Sequence, residues 1–258
     1  MSRALIGYTG FVGSNIMQQA SFDEFYNSKN IQDIKGKSFD LVVCAGVPAV
    51  KWWANQNPDE DLEIITELIE TLRSLNAKQF VLISTVDVYP SPAGVIEDTN
   101  IELNAVSPYG KHRLFLEREL QNNFKSIHII RLPGLFGKGL KKNILFDMIC
   151  GNILEKINLE SSFQWYPLSR IWQDIQIAIK HDLNLVNLAV EPVESCEIKD
   201  RFFSNLTVGS DPFPKVKYDM HTEFAKQFGS AVDGYMMSSE QVLDEMAIWL
   251  KKPEVKCG

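Results

Sequence analysis

The stretch Ala4-Leu5-Ile6-Gly7-Tyr8-Thr9-Gly10-Phe11-Val12-Gly13 decides the fold. Ala4–Tyr8 reads as a buried strand, and Gly13–Ala20 as the helix that follows it. Between them, Gly7, Gly10 and Gly13 stand at G-x-x-G-x-x-G spacing. Glycines in that order let the chain turn tightly and bring its backbone close to a pyrophosphate, and they let the helix pack closely on the strand. The helix N-terminus adds free N–H groups and a positive dipole end. The pattern in this context predicts a nucleotide cradle; a tight turn without a ligand is the plainer alternative.

Further short β-rich runs alternate with helical patterns. Leu41–Ala45 is a continuous apolar run, as expected for a strand covered on both faces; Phe80–Ser84 reads as a third buried strand and Ile127–Arg131 as a fourth. Asp59–Leu75 has Leu62, Ile65, Leu68, Ile69 and Leu72 at helical spacing behind an acidic first turn, and Tyr109–Asn123 is also helical. Strand–helix–strand repetition implies parallel strands with crossover helices. The predicted class is α/β, a Rossmann-like doubly wound parallel sheet. Later, Asn143–Gly151 and Ile171–His181 read as helices and Leu185–Leu188 as a strand. Ser238 with Gln241 forms a capping box before the amphipathic tail. No clean boundary is readable. Residues 1–140 are taken as the nucleotide-binding region and 141–258 as a small C-terminal substrate lobe interleaved with the sheet.

Composition excludes several classes. The chain has 258 residues, a net charge of −7, 45% apolar and 23% charged residues. That is globular usage, and the acidic balance argues against nucleic acid or an anionic membrane surface as partner. Four cysteines (Cys44, Cys150, Cys196, Cys257) lie far apart, which speaks against a disulfide framework or a CxxC zinc site. The histidines show no HxxxH spacing, so no metal is expected. The longest apolar run, Leu41–Val50, is far short of the roughly 20 residues needed to cross a bilayer. No targeting segment is readable at the start, so a cytoplasmic protein is expected.

The second element of a dinucleotide site, an Asp or Glu about 20 residues on, is missing. The second strand, near Phe22–Asn27, runs into Ser28, Lys29 and Asn30. One cation with polar donors suits a 2′-phosphate, so NADP is favoured over NAD; a solvated turn is the alternative.

Further motifs follow in order: Cys44-Ala45-Gly46, Leu82–Tyr89, Ser107-Pro108-Tyr109-Gly110 and Arg131-Leu132-Pro133-Gly134-Leu135-Phe136-Gly137. With the glycine loop they resemble the extended short-chain dehydrogenases/reductases, the NAD(P)-dependent sugar epimerase/dehydratase group. The resemblance is good over residues 3–140 and loose beyond. It implies an oxidoreductase, epimerase or dehydratase acting by hydride transfer on a sugar or nucleotide-sugar, and a homodimer. With the glycine loop and the Ser28-Lys29-Asn30 turn read above, cofactor contacts are expected at Gly7, Thr9, Gly10, Phe11, Val12, Gly13, Ser28, Lys29, Asn30, Ala45, Gly46, Tyr109, Arg113 and Pro133. It makes Thr85, four residues before Tyr89, the hydroxyl that orients the reacting oxygen, and Tyr109 the acid/base. The resembled pattern has Lys four residues after that Tyr; here the position is Arg113. One helical turn puts both side chains on one face, and a nearby cation should depress the phenol pKa. Arg keeps the charge but cannot relay a proton. A cofactor-binding sensor or regulatory protein without turnover therefore remains as the alternative.

Substrate contacts are expected at Lys51, Asp87, Asn143 and Trp165. Each has a plainer reading: packing beside Trp52 and Trp53, a turn cap, a basic loop, and core. His112 is expected at the surface. The span from Gly7 to Ser84 is short because the second strand–helix unit looks trimmed.

Overall fold

A computed structural model describes residues 1–257. The chain divides into two compact units. The first contains Met1–Ser91, Glu97–Leu132 and Arg170–Asn187, and the second contains Pro92–Ile96, Pro133–Ser169 and the remainder from Leu188.

The first unit is built on a six-stranded sheet. Its strands are β1 (Arg3–Ile6), β2 (Glu24–Tyr26), β3 (Ser38–Cys44), β4 (Asn76–Thr85), β5 (Ile127–Leu132) and β6 (Leu185–Asn187). They lie in the order β6-β5-β4-β3-β1-β2, and every pair is parallel. The chain leaves β1 for β2 on one side and returns to β3 on the other. The strand order therefore reverses at β1 and β3, and the crevice beyond their C-terminal ends is where such sheets take ligands. Between β2 and β3 only a 3-10 turn, Ile31–Ile34, makes the crossover, so this unit is trimmed as the sequence suggests.

The helices of this unit are α1 (Phe11–Gln19), α2 (Lys51–Gln56), α3 (Pro58–Arg73), α4 (Pro108–Asn123) and, after α5 (Ile144–Cys150) of the second unit, α6 (Ile171–Lys180). Pro58 at the first position, three acidic residues in the first turn and Arg73 in the last suit α3 to its dipole. Ser107 caps α4, accepting from the Gly110 N–H, with Pro108 behind it. Ile65, Ile69 and Leu72 of α3 and Leu116, Leu120 and Phe124 at α4 share a core with Phe80 and Leu82 of β4. The rings of Phe80 and Phe124 stack with centroids 4.3 Å apart. Each such buried side chain contributes roughly 1.5–3 kcal/mol.

A polar network is buried at the strand ends. Arg131 of β5 holds Glu117 of α4 through two contacts of 3.1 and 2.6 Å and donates to the Tyr89 phenol at 2.7 Å. Ser84 also donates to Glu117, and Tyr89 meets Asn187 of β6. These contacts tie β4, β5 and β6 to α4.

The second unit holds three two-stranded ladders: Gly134–Phe136 with Trp165–Pro167, Ser162–Phe163 with Val193–Glu194, and Ala93–Val95 with Asp219–Met220. Its last helix, Ser239–Leu250, begins with the expected capping box at Ser238 and Gln241. Cys150 at the end of α5 is bonded to Cys257, while Cys44 and Cys196 are free. A separation of 107 residues leaves no local signal for that pairing. Among the described residues no helix is long and apolar enough to cross a membrane, and no cluster of three or more metal-ligating side chains occurs.

The loop after β1 admits no side chain at Gly13. A Cβ there would lie 2.1 Å from the Gly7 carbonyl oxygen. Gly13→Ala is expected to destabilise the chain by about 3 kcal/mol, because backbone must move. Urea unfolding with an unchanged slope and a lowered midpoint is the check.

Candidate active site

The cradle forms first. Gly7 follows β1 at φ +82°, a conformation side chains rarely adopt, and a Cβ there would sit 2.4 Å from the Gly46 Cα after β3. The two loops thus meet backbone to backbone across the crevice. Gly7 N–H donates to the Tyr26 carbonyl at 2.7 Å, and Ala45 N–H to that of Ile6 at 2.9 Å. Gly10 precedes α1, and no side chain caps that helix. A Cβ on Gly10 would have only the Gly7 and Ala45 oxygens nearby, at 3.2 and 4.0 Å. A Cβ there would press on the Gly7 oxygen, while Thr9 and Gly10 are exposed and leave the space in front of the helix N-terminus open. Open space, uncapped amides and close glycine backbone fit the pyrophosphate of a dinucleotide, with Phe11, Val12 and Gly13 in the first helical turn.

The turn after β2 is latched internally. The Asn30 side chain accepts from the Asn27 N–H at 2.7 Å and donates to the Phe25 carbonyl at 3.0 Å, so both ends of its amide are engaged. Ser28 and Lys29 are exposed. Asn27, passed over in the sequence, bonds the Tyr8 phenol of the glycine loop at 3.2 Å.

The second group gathers at the C-terminal end of β4. Thr85 ends that strand, and its hydroxyl accepts from the Asp87 N–H at 3.2 Å to close the next turn. It also lies close enough to Tyr109 of α4 to favour the phenolate weakly. The approach depends on Gly110: a Cβ there would fall 1.9 Å from the Asp87 carbonyl oxygen. Asn55 of α2 accepts from the Tyr109 N–H at 3.0 Å. Lys51 of α2 pairs with Asp87 at 2.7 Å. Thr85, Asp87, Lys51, Tyr109 and Arg113 thus form one constellation within the first unit.

Arg113 departs from expectation. Its guanidinium carbon lies 4.1 Å from the Tyr109 ring centroid, so its charge does reach the phenol. Yet the side chain is only 3% exposed. Its terminal nitrogens donate to Asp61 of α3 and to the Pro48 carbonyl, which leaves no fork for a ribose. Asp61 also meets His112 Nδ1 at 2.7 Å, so His112 is buried and not at the surface.

The expected depression of the Tyr109 pKa is corrected as well. Burial pushes the phenol above its ordinary value. Arg113 opposes this, Asp87 adds to it, and Lys51 and the Thr85 hydroxyl oppose it more weakly. Desolvation of the buried phenol outweighs the cation.

Three predicted residues belong to the second unit. Pro133 is buried directly after β5. Asn143 caps α5, accepting from the Phe146 N–H at 3.0 Å, and its amide donates to the Leu135 carbonyl. Trp165 is 2% exposed in a strand between Gln164 and Tyr166, and its indole N–H is buried without a partner.

Comparison with known proteins accords with this geometry. Residues 114 long are 33% identical to the bifunctional UDP-glucose 4-epimerase and UDP-xylose 4-epimerase 1 of Pisum sativum, covering 41% of this chain and 32% of that protein. The chain's match thus spans about a third of the length of the curated relatives it resembles. Among solved structures, dTDP-4-dehydrorhamnose reductase from Bacillus anthracis in complex with NADP superposes with a TM-score of 0.74 at 17% identity, covering 96% of this chain and 98% of that one. MoeE5 in complex with UDP-glucose and NAD gives 0.71 at 16%, covering 98% and 99%. At these identities the likeness establishes the fold. The family model described as NAD dependent epimerase/dehydratase matches residues 4–161, and the chain belongs to that family.

Proposed function

We propose that the chain moves a hydride between a nicotinamide dinucleotide, held along Gly7–Gly13 and beside Ala45-Gly46, and a hydroxyl or ketone of a sugar or nucleotide-sugar. The observation that carries this reading is the Arg113 guanidinium 4.1 Å from the Tyr109 ring centroid, with Thr85 close by, at the same sheet end as the glycine cradle. A bound nicotinamide supplies the hydride chemistry. Thr85 orients the reacting oxygen, and Tyr109 gives or takes its proton. With its pKa raised, Tyr109 rests as the neutral phenol at neutral pH, so it is poised to donate. That favours reduction of a ketone over oxidation of an alcohol. Lys51 and Asp87, paired at the mouth, present both charges to substrate hydroxyls or a diphosphate.

The exposed Ser28 and Lys29 and the lack of a carboxylate in the Asn27–Asn30 turn favour NADP. A second reading, cofactor binding without turnover, is favoured by one observation. The Arg113 donors are already committed to Asp61 and Pro48.

Gly10→Val should fold, with the Gly7 carbonyl giving way slightly to a Cβ 3.2 Å from it, and lose dinucleotide affinity at least tenfold because its side chain occupies the exposed face before α1. Calorimetry that finds a folded variant of unchanged affinity removes the cradle from the account. Lys29→Ala should weaken NADPH about tenfold and leave NADH unchanged, the size of one charge-assisted hydrogen bond. Equal effects on both cofactors refute the preference.

Tyr109→Phe should keep the cofactor and lose ~10²–10⁴ in rate with any sugar nucleotide that turns over. In the wild type the reductive rate should stay level from pH 6 to 8 and fall only on the alkaline side. The oxidative rate should climb with pH over the same range, since it needs the phenolate. A reductive rate that falls between pH 6 and 8 contradicts the assignment. Binding without turnover of any tested sugar nucleotide selects the second reading.

A further inference from the structure

Asp61 is a buried carboxylate that the proposed reaction does not use. It lies in the first turn of α3, 0% exposed, on the stripe that continues through Ile65, Ile69 and Leu72 into the core. One of its oxygens holds both Arg113 and His112; the other is buried without a hydrogen-bond partner. Arg113 is likewise incomplete, because its Nε is buried and unpartnered while its terminal nitrogens hold Asp61 and the Pro48 carbonyl. A buried pair with loose ends on both sides is a poor stabiliser, and apolar residues of similar volume commonly serve stability as well or better. What this pair does provide is a fixed cation 4.1 Å from the Tyr109 ring centroid, with a counter-charge directly behind it.

We propose that Asp61 is a positioning residue for proton transfer at Tyr109: paired with Arg113, it fixes the guanidinium beneath the phenol ring and offsets its charge there. The proposal rests on Tyr109 as the acid/base of the proposed reaction. Asp61 acts through Arg113 and touches neither substrate nor cofactor. Burial already favours the neutral phenol, and the Asp61 counter-charge limits how far Arg113 works against it. A cation so close favours the ionised form, and a carboxylate behind it weakens that pull while the Pro48 carbonyl holds the group in place. The other groups facing the phenol come from different elements: Thr85 from β4, Asp87 from the turn after it, and Lys51 from α2. Lys51 and Asp87 are paired with each other at 2.7 Å. His112 faces Asp61 from α4. All of these stay unchanged in the test.

The test installs 3-fluorotyrosine at position 109 of the full chain and follows its titration by fluorine NMR, with no cofactor and no substrate present. Asp61→Asn leaves the guanidinium in place without its counter-charge, so the midpoint should fall by about one pH unit relative to the parent. Asp61→Glu should return it to the parent value. Replacing the pair together, Asp61→Leu with Arg113→Met, should keep the fold and raise the midpoint above the parent, because the cation is gone. A purely structural Asp61 changes the melting temperature and leaves the midpoint where it was. A folded Asp61→Asn chain with an unchanged or raised midpoint overturns the proposal. If that single variant does not fold, a double variant with the parent midpoint overturns it equally. Absence of dinucleotide binding or turnover would remove the proposed function and leave this titration readable.

Discussion

Two contacts between bare backbones hold the candidate site together. At the first, the loop after β1 lies against the loop after β3, and Gly7 meets Gly46 where no side chain fits. At the second, α4 lies against the turn after β4, and Gly110 meets the Asp87 carbonyl at a distance that excludes a Cβ. The first contact shapes the cradle before α1. The second brings Tyr109 to Thr85. Both stand at C-terminal ends of parallel strands, so the sheet register that pairs Ile6 with Cys44 and Thr85 with Leu132 fixes their heights. Close packing transmits an error at either contact directly to the groups that would bind and react.

Electrostatics then decides the resting state of the phenol. Tyr109 is buried between a cation with a carboxylate behind it and an exposed ion pair, Lys51 with Asp87. Desolvation is the largest influence on it and favours the neutral form. A lone Arg113 would favour phenolate; the pair with Asp61 moderates that. Asp61 and the Pro48 carbonyl engage the two terminal nitrogens of the guanidinium, while its Nε stays unpartnered.

Much of the sheet is legible because its central strands are rich in apolar residues. Leu41-Val42-Val43-Cys44 and Ile127–Leu132 are buried on both faces and read without alternation. Thr85 and Tyr109 enter only through the family the surrounding motifs resemble, whereas the glycine loop was readable from its spacing behind the first strand. Asp61 was not, because helical periodicity was counted on apolar residues alone. That count put Leu62 on the buried stripe, whereas Leu62 is 40% exposed and Asp61 takes its place four residues before Ile65. A carboxylate at an i, i+4 core position was the available signal. His112 follows the same logic, since it is buried only because Asp61 waits across the helix interface. Asn143 and Trp165 looked like site residues by their place in the motif order, yet one caps α5 and the other fills a core. Residues Arg170–Asn187 rejoin the first unit because β6 must pair with β5, a long-range demand that composition does not reveal.

The central claim is that the crevice at the β1–β3 reversal holds a nicotinamide dinucleotide with its reactive end at Tyr109. A crystal structure of the chain grown with NADPH tests it most directly. The account predicts density for the pyrophosphate against Gly7–Gly13 and for the nicotinamide ring beside Tyr109 and Thr85. A chain that crystallises with the crevice free of dinucleotide, or with the dinucleotide bound elsewhere, contradicts it.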